Sequence, residues 1–195
     1  DRAWLDLTYQ LLGIAFGLAP VALALYLLWQ SGKNPFKTIG LTFQNPISWA
    51  LRGLGLAAVI GIPGIALYFA GRYFGLAAKI VPSELPSYWW AIPVLLLAAI
   101  KAALLEEVLV VGYLFNRLSL LGFSDRQVIA VSAVFRGSYH LYQGITGFLG
   151  NAIMGAVFGL LYKRWGKIMP LVFAHFLLDA VSFVGYTFIA SQFPL

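Results

Sequence analysis

Cysteine is absent from the 195 residues. Its absence excludes disulfides, thiolate metal sites and a cysteine nucleophile, and says nothing about redox compartment. Charge is scarce as well. Asp, Glu, Lys and Arg together make up 10% of the chain, against about 25% in soluble domains. Histidine occurs twice. No internal repeat, low-complexity tract or domain linker divides the sequence, and no inverted repeat of the kind that builds many transporters is visible. There is no Gly-x-Ser-x-Gly and no His-Glu-x-x-His, so neither a serine elbow nor a metalloprotease helix is signalled. The formal charge of +6 does not point to nucleic acid, because the basic residues are dispersed between apolar runs rather than gathered in a patch.

What is present is apolar. Hydrophobic residues are 61% of the chain and the mean hydropathy is +0.86, outside the range of proteins whose surface faces water. A spanning helix needs roughly 20 mostly apolar residues. Runs of this kind predict helices at 5–29, 47–75, 88–118, 127–142, 144–162 and 168–190. The expectation is therefore an all-α, polytopic bundle of about six transmembrane helices, one domain over 1–195. The second and third runs exceed the bilayer, with Pro63 and Pro93 as candidate kinks. Trp4, Trp29, Trp49, Tyr88, Trp89, Trp90, Tyr162 and Trp165 fall near span ends, as an aromatic belt does. Lys33, Lys37, Arg117, Arg126, Lys163, Arg164 and Lys167 lie in the odd-numbered loops, against Arg2, Arg72 and Lys79 in the N-terminus and even-numbered loops. The positive-inside rule puts the odd loops in the cytoplasm. The basic residues also suit contact with lipid headgroups. The chain begins at Asp1, as a processed or partial chain would, and its first apolar run is too long for a signal peptide. Ala152, Gly155, Ala156 and Gly159 predict a close helix–helix contact.

Ionisable groups inside spans are costly, roughly 2.5–3.5 kcal/mol each on insertion scales, and mark function by default. The third span carries Lys101, Glu106 and Glu107, the fourth Arg136 and His140, and the sixth His175 and Asp179. Asn151 adds an uncharged polar group on the fifth. Counted at 1.5 Å per residue from the cytoplasmic ends, Glu106 is roughly 18 Å deep, His140 roughly 20 Å, Asn151 and Asp179 roughly 16 Å, and His175 roughly 10 Å. Four helices thus deliver polar groups to one layer. His175, Asp179 and Ser182 share a helical face, as do Ser132, Arg136 and His140. Glu106 and Glu107 point about 100° apart, so one can face a centre while the other meets a neighbouring helix or cation. For Lys101 the plain reading is a snorkelling side chain. Three chemistries fit the rest: a carboxylate base working on water with a histidine, a metal held by the histidines and a carboxylate, or a proton or ion relay.

The stretches EEVLVVGYLFNRL (106–118), RGSYHLYQG (136–144), GNAIMGAVFGLLYKRWGKIMP (150–170) and AHFLLDA (174–180) together form a pattern. It resembles the CPBP family, the CAAX-protease-like and bacteriocin-processing membrane proteins also called the ABI family of intramembrane glutamic proteases. The likeness covers about 88–185. It implies intramembrane peptide-bond hydrolysis without metal, cofactor or covalent intermediate, acting on a membrane protein or peptide, with a bacterial cytoplasmic membrane as the expected location. Carried over by motif, Glu106 would be the catalytic base, His140 its partner on the attacking water, and His175 with Asp179 the oxyanion element. Asp179 is expected to orient His175, because an ionised carboxylate cannot donate to an oxyanion. Asn151, outside these motifs but at the same depth, would bind substrate backbone. Two positions depart from the pattern. Val111 stands where the Glu-Glu-x-x-x-Arg motif has arginine, and Phe135 precedes His140 by five residues rather than four. Arg136, one turn before His140, is the expected replacement, pairing with Glu107 across helices. The alternative is a non-catalytic scaffold or bacteriocin-immunity protein on the same bundle. Substrate identity and oligomeric state stay open.

Overall fold

The structure is a computed structural model that describes residues 2–78 and 88–189. Lys79, counted above among the outer charges, and residue 190 of the sixth run lie outside the described residues. The described chain is helical, and its architecture is an all-α bundle. The elements are α1 (Arg2–Gly17), α2 (Ala19–Trp29), α3 (Pro35–Ile39), α4 (Pro46–Tyr73), α5 (Ala91–Glu106), a π-helical segment (Glu107–Tyr113), α6 (Leu114–Leu120), α7 (Asp125–Tyr139), α8 (Ile145–Trp165) and α9 (Met169–Ile189).

By length and composition, Arg2–Trp29, Pro46–Tyr73 and Ile145–Trp165 are long and apolar enough to cross a membrane, and Met169–Gly185 is a shorter apolar helix. α5 and α7 have 16 and 15 residues, about 24 and 22 Å at the helical rise. α7 falls short of the roughly 30 Å hydrocarbon layer, whereas α5 runs on without a break through Glu107–Tyr113 into α6. α5 carries Glu106, and α7 carries Arg136 and Tyr139. α4 turns Leu51, Leu54, Val59, Ile62, Ile65 and Phe69 outward. An exposed apolar face of that length suits lipid and would aggregate in water. Together with the three apolar helices of membrane-crossing length, it makes this an integral membrane protein.

Two breaks differ from those expected. Pro93 lies in the first turn of α5, where a missing N–H breaks no ladder bond, and Pro63 sits inside a continuous α4. The third run instead changes geometry at Glu107–Tyr113, where the Leu114 N–H reaches back five residues to the Leu109 carbonyl. The first run is interrupted at Leu18, just before Pro20.

α9 packs between α4 and α5, α7 lies along α8, and α2 covers the π-helical segment. Small residues set the close approaches. A Cβ on Gly155 would come within 3.1 Å of the Ala133 Cα, and one on Gly159 within 2.9 Å of the Phe115 ring. A Cβ on Gly53 would meet the Phe173 ring at 2.8 Å. At one end, the Ile168 N–H bonds the Ile39 carbonyl, Lys163 pairs with Asp125 at 2.6 Å, and Arg52 lies 5.2 Å above Trp165. This is the basic end of the bundle. At the other, Arg72 bonds the Ala77 carbonyl at 3.2 Å, and Ala78 N–H bonds the Gln143 carbonyl at 2.9 Å. Gly144, at φ +93° with its pro-Cβ direction blocked by the Leu76 carbonyl, admits no side chain there. That contact ties α4 to the α7–α8 turn.

Candidate active site

The polar residues are assembled by four segments: the end of α5, the π-helical turn after it, the last turns of α7, and α9. Glu106 closes α5 and Glu107 opens the π-helical segment, so adjacent carboxylates leave the backbone in different directions. The Val110 carbonyl of that segment accepts from the buried Ser132 hydroxyl of α7 at 3.2 Å. Ser132 thereby pins the glutamate-bearing segment to the helix that brings Arg136, Tyr139 and His140.

One half of the cluster is sealed. Glu107 and Arg136 are fully buried. The Glu107 Oε1 accepts from both Arg136 Nη2 and the His175 ring, the latter through Nδ1 at 2.8 Å. The guanidinium also stands 5.3 Å above the Phe158 ring, a cation–π contact. On its other side, His175 Nε2 is 3.6 Å from Asp179 Oδ2, beyond hydrogen-bond distance. A buried charge needs a partner to be tolerated, and Glu107 and Arg136 supply one another.

The other half is accessible. The Glu106 and His140 side chains are 18% and 11% exposed. Glu106 Oε2 accepts a hydrogen bond from the Tyr139 hydroxyl at 2.8 Å and lies 3.8 Å from Arg136 Nε. Glu106 Oε1 is 3.9 Å from His140 Nε2. His140 caps the end of α7, and its Nδ1 is 3.0 Å from the Arg136 carbonyl. A carbonyl can only accept, so Nδ1 carries the proton, and in the neutral ring Nε2 offers a lone pair. Two acceptors, a carboxylate oxygen and an imidazole nitrogen, therefore face each other at a separation that one water can bridge.

The structure brings together Glu106, Glu107, Arg136, His140, His175 and Asp179, and places Tyr139 among them. Sequence reasoning misses Tyr139, because an aromatic near a span end reads as a belt residue. Its only sequence signal is its place beside His140 and three residues after Arg136. Asn151 is not joined to the cluster among the described residues; its amide donates to the Gly147 carbonyl of its own helix at 3.0 Å. Lys101, more than a turn before Glu106 on α5, packs its aliphatic stem against Gly17 of α1, and Ser182 bonds the Leu178 carbonyl. Among the described residues, no three His, Asp or Glu side chains converge as metal ligands. Two surface grooves, one along Asn45–Arg52 and one around Trp29 and Phe36, include none of these residues.

Residues 88–181 match the protein-family model described as type II CAAX prenyl endopeptidase Rce1-like. The matched stretch holds every residue of the cluster. No curated protein and no solved structure matches the chain.

Proposed function

Because its residues 88–181 belong to the Rce1-like family of type II CAAX prenyl endopeptidases, we propose that this membrane protein hydrolyses a peptide bond inside the bilayer with a water activated by Glu106. The observation that carries the reading is the pair of facing acceptors, Glu106 Oε1 and His140 Nε2, 3.9 Å apart in the accessible half of the cluster. A water held between them donates to both. Glu106 takes one of its protons as the water oxygen attacks the scissile carbonyl, and returns that proton to the amine as the tetrahedral intermediate collapses. The products are a new carboxyl terminus and a free amine.

Glu107 is unsuited to that task, because Arg136 and His175 already hold its Oε1 and no solvent reaches it. Its role is to hold the site. It fixes the His175 ring at Nδ1, leaving Nε2 on the side of Asp179. With both ring nitrogens protonated, Nε2–H is the donor for the developing oxyanion, and preorganised donors at that position are worth about 3–4 kcal/mol in comparable enzymes. Glu107 takes the larger share in orienting His175, at 2.8 Å, with Asp179 a second carboxylate at 3.6 Å. Arg136 stands in for the motif arginine that Val111 replaces.

The test uses purified protein in lipid nanodiscs and a quenched fluorescent peptide ending in a farnesylated CAAX sequence. Cleavage by the wild type and none by Glu106→Gln supports the reading. Equal rates from the two proteins refute it. No cleavage by either moves the assignment to the non-catalytic scaffold or immunity reading.

A further inference from the structure

Glu106 has two oxygens, and the structure treats them differently. Oε2 accepts the Tyr139 hydroxyl at 2.8 Å and faces Arg136 Nε at 3.8 Å, whereas Oε1 is turned to His140. A free carboxylate on an α-helix rotates about its last torsion with little preference, so something must hold its plane with one oxygen towards the water. Tyr139 is the group in place to do so. It is held in turn by an edge-on contact with Phe135, at 5.5 Å between ring centroids, and by the His140 ring at 4.7 Å. Being next to His140 in the chain, it also couples the setting of the carboxylate to that of the imidazole.

We propose that Tyr139 is a positioning residue for the reaction, whose hydroxyl anchors Glu106 Oε2 and so presents Oε1, together with His140 Nε2, to the attacking water. This inference rests on the hydrolytic reading above. Nothing in it requires the phenol to touch substrate. Tyr139→Phe keeps the ring and its packing, so it removes the hydrogen bond and little else.

Two measurements decide it. The first compares kcat and KM of the wild type and Tyr139→Phe on the farnesylated CAAX peptide in nanodiscs, with unfolding temperature as the check on folding. Misplacing a catalytic group by about 1 Å costs on the order of 100-fold. The expected result is therefore a kcat about 10- to 100-fold lower, with KM within about twofold and the unfolding temperature unchanged. An unchanged kcat overturns the proposal, and so does a loss confined to KM. The second measurement is an infrared difference spectrum in the carboxylate region, with the Glu106 band assigned from Glu106→Gln. Tyr139→Phe is expected to move that band, and a band that stays in place overturns the proposal. The spectrum needs no turnover. If the wild type cleaves nothing, the hydrolytic reading fails by itself and the spectrum still decides whether Tyr139 holds Glu106.

Discussion

Replacing Arg136 by methionine keeps the length and apolar stem of the side chain and removes its charge. The consequence follows from what Glu107 has left. Its Oε1 holds both of its hydrogen bonds, from Arg136 Nη2 and His175 Nδ1, and its Oε2 has none. The variant strands a fully buried carboxylate on the single imidazole contact and also removes the guanidinium from the Phe158 face. Breaking a buried ion pair by deleting one partner costs about 3–5 kcal/mol, which is roughly 150- to 5,000-fold in the folding equilibrium. Adding Glu107→Gln removes the stranded charge, while the new amide oxygen can still accept from His175. The double variant is therefore expected to cost about 2 kcal/mol less than the sum of the two singles, a coupling in the range measured for contacting residues. Equilibrium unfolding of the purified protein in mixed micelles reads all four corners of the cycle. A double variant that costs the sum of the two singles would refute the claim that these side chains hold each other.

Other outcomes follow from neighbouring contacts. Ser132→Ala removes the buried hydrogen bond to the Val110 carbonyl, and is expected to lower stability by about 0.5–1.5 kcal/mol in the same unfolding assay. Gly155→Val drives a side chain towards the Ala133 backbone, 3.1 Å away already at the Cβ position. A rigid backbone neighbour cannot yield, so a loss of about 1–3 kcal/mol is expected, read as reduced yield of folded protein and a lower unfolding temperature. Asn151→Leu forfeits a hydrogen bond that stays within α8. Turnover within about threefold of wild type is expected, a mild effect in kinetic terms; a loss of 100-fold in kcat would give Asn151 a direct part in the chemistry.

Much of the site is legible in the sequence because the bilayer makes ionisable groups expensive. Counting depth along the helices is enough to bring Glu106, His140 and Asp179 to one level, and the 100° splay of adjacent helical residues anticipates that Glu106 and Glu107 take different partners. Depth, however, fixes a level and not a direction around the helix axis. Asn151 shares the level, yet its amide is spent on Gly147. The π-helical segment is invisible in hydropathy, since the run Val108–Val111 is as apolar in one helical geometry as in another, and the Ser132 bond that ties it to α7 is tertiary. Tyr139 is hidden for a related reason. A tyrosine near a span end reads as a belt residue, and it is the ending of α7 at Tyr139, with His140 as its cap, that turns the phenol towards Glu106. The fold class follows from composition alone. The break at Leu18 has Pro20 as its signal, a residue that the length of the first run masks.

The central claim is that Glu106 drives proteolysis in the membrane. Its most direct test compares the new protein N-termini in membranes of cells expressing the wild type with those of cells expressing Glu106→Gln at equal abundance. The account expects a set of termini found only with the wild type, cut within or beside apolar segments. A folded Glu106→Gln protein whose membranes carry the same termini as the wild type would contradict it.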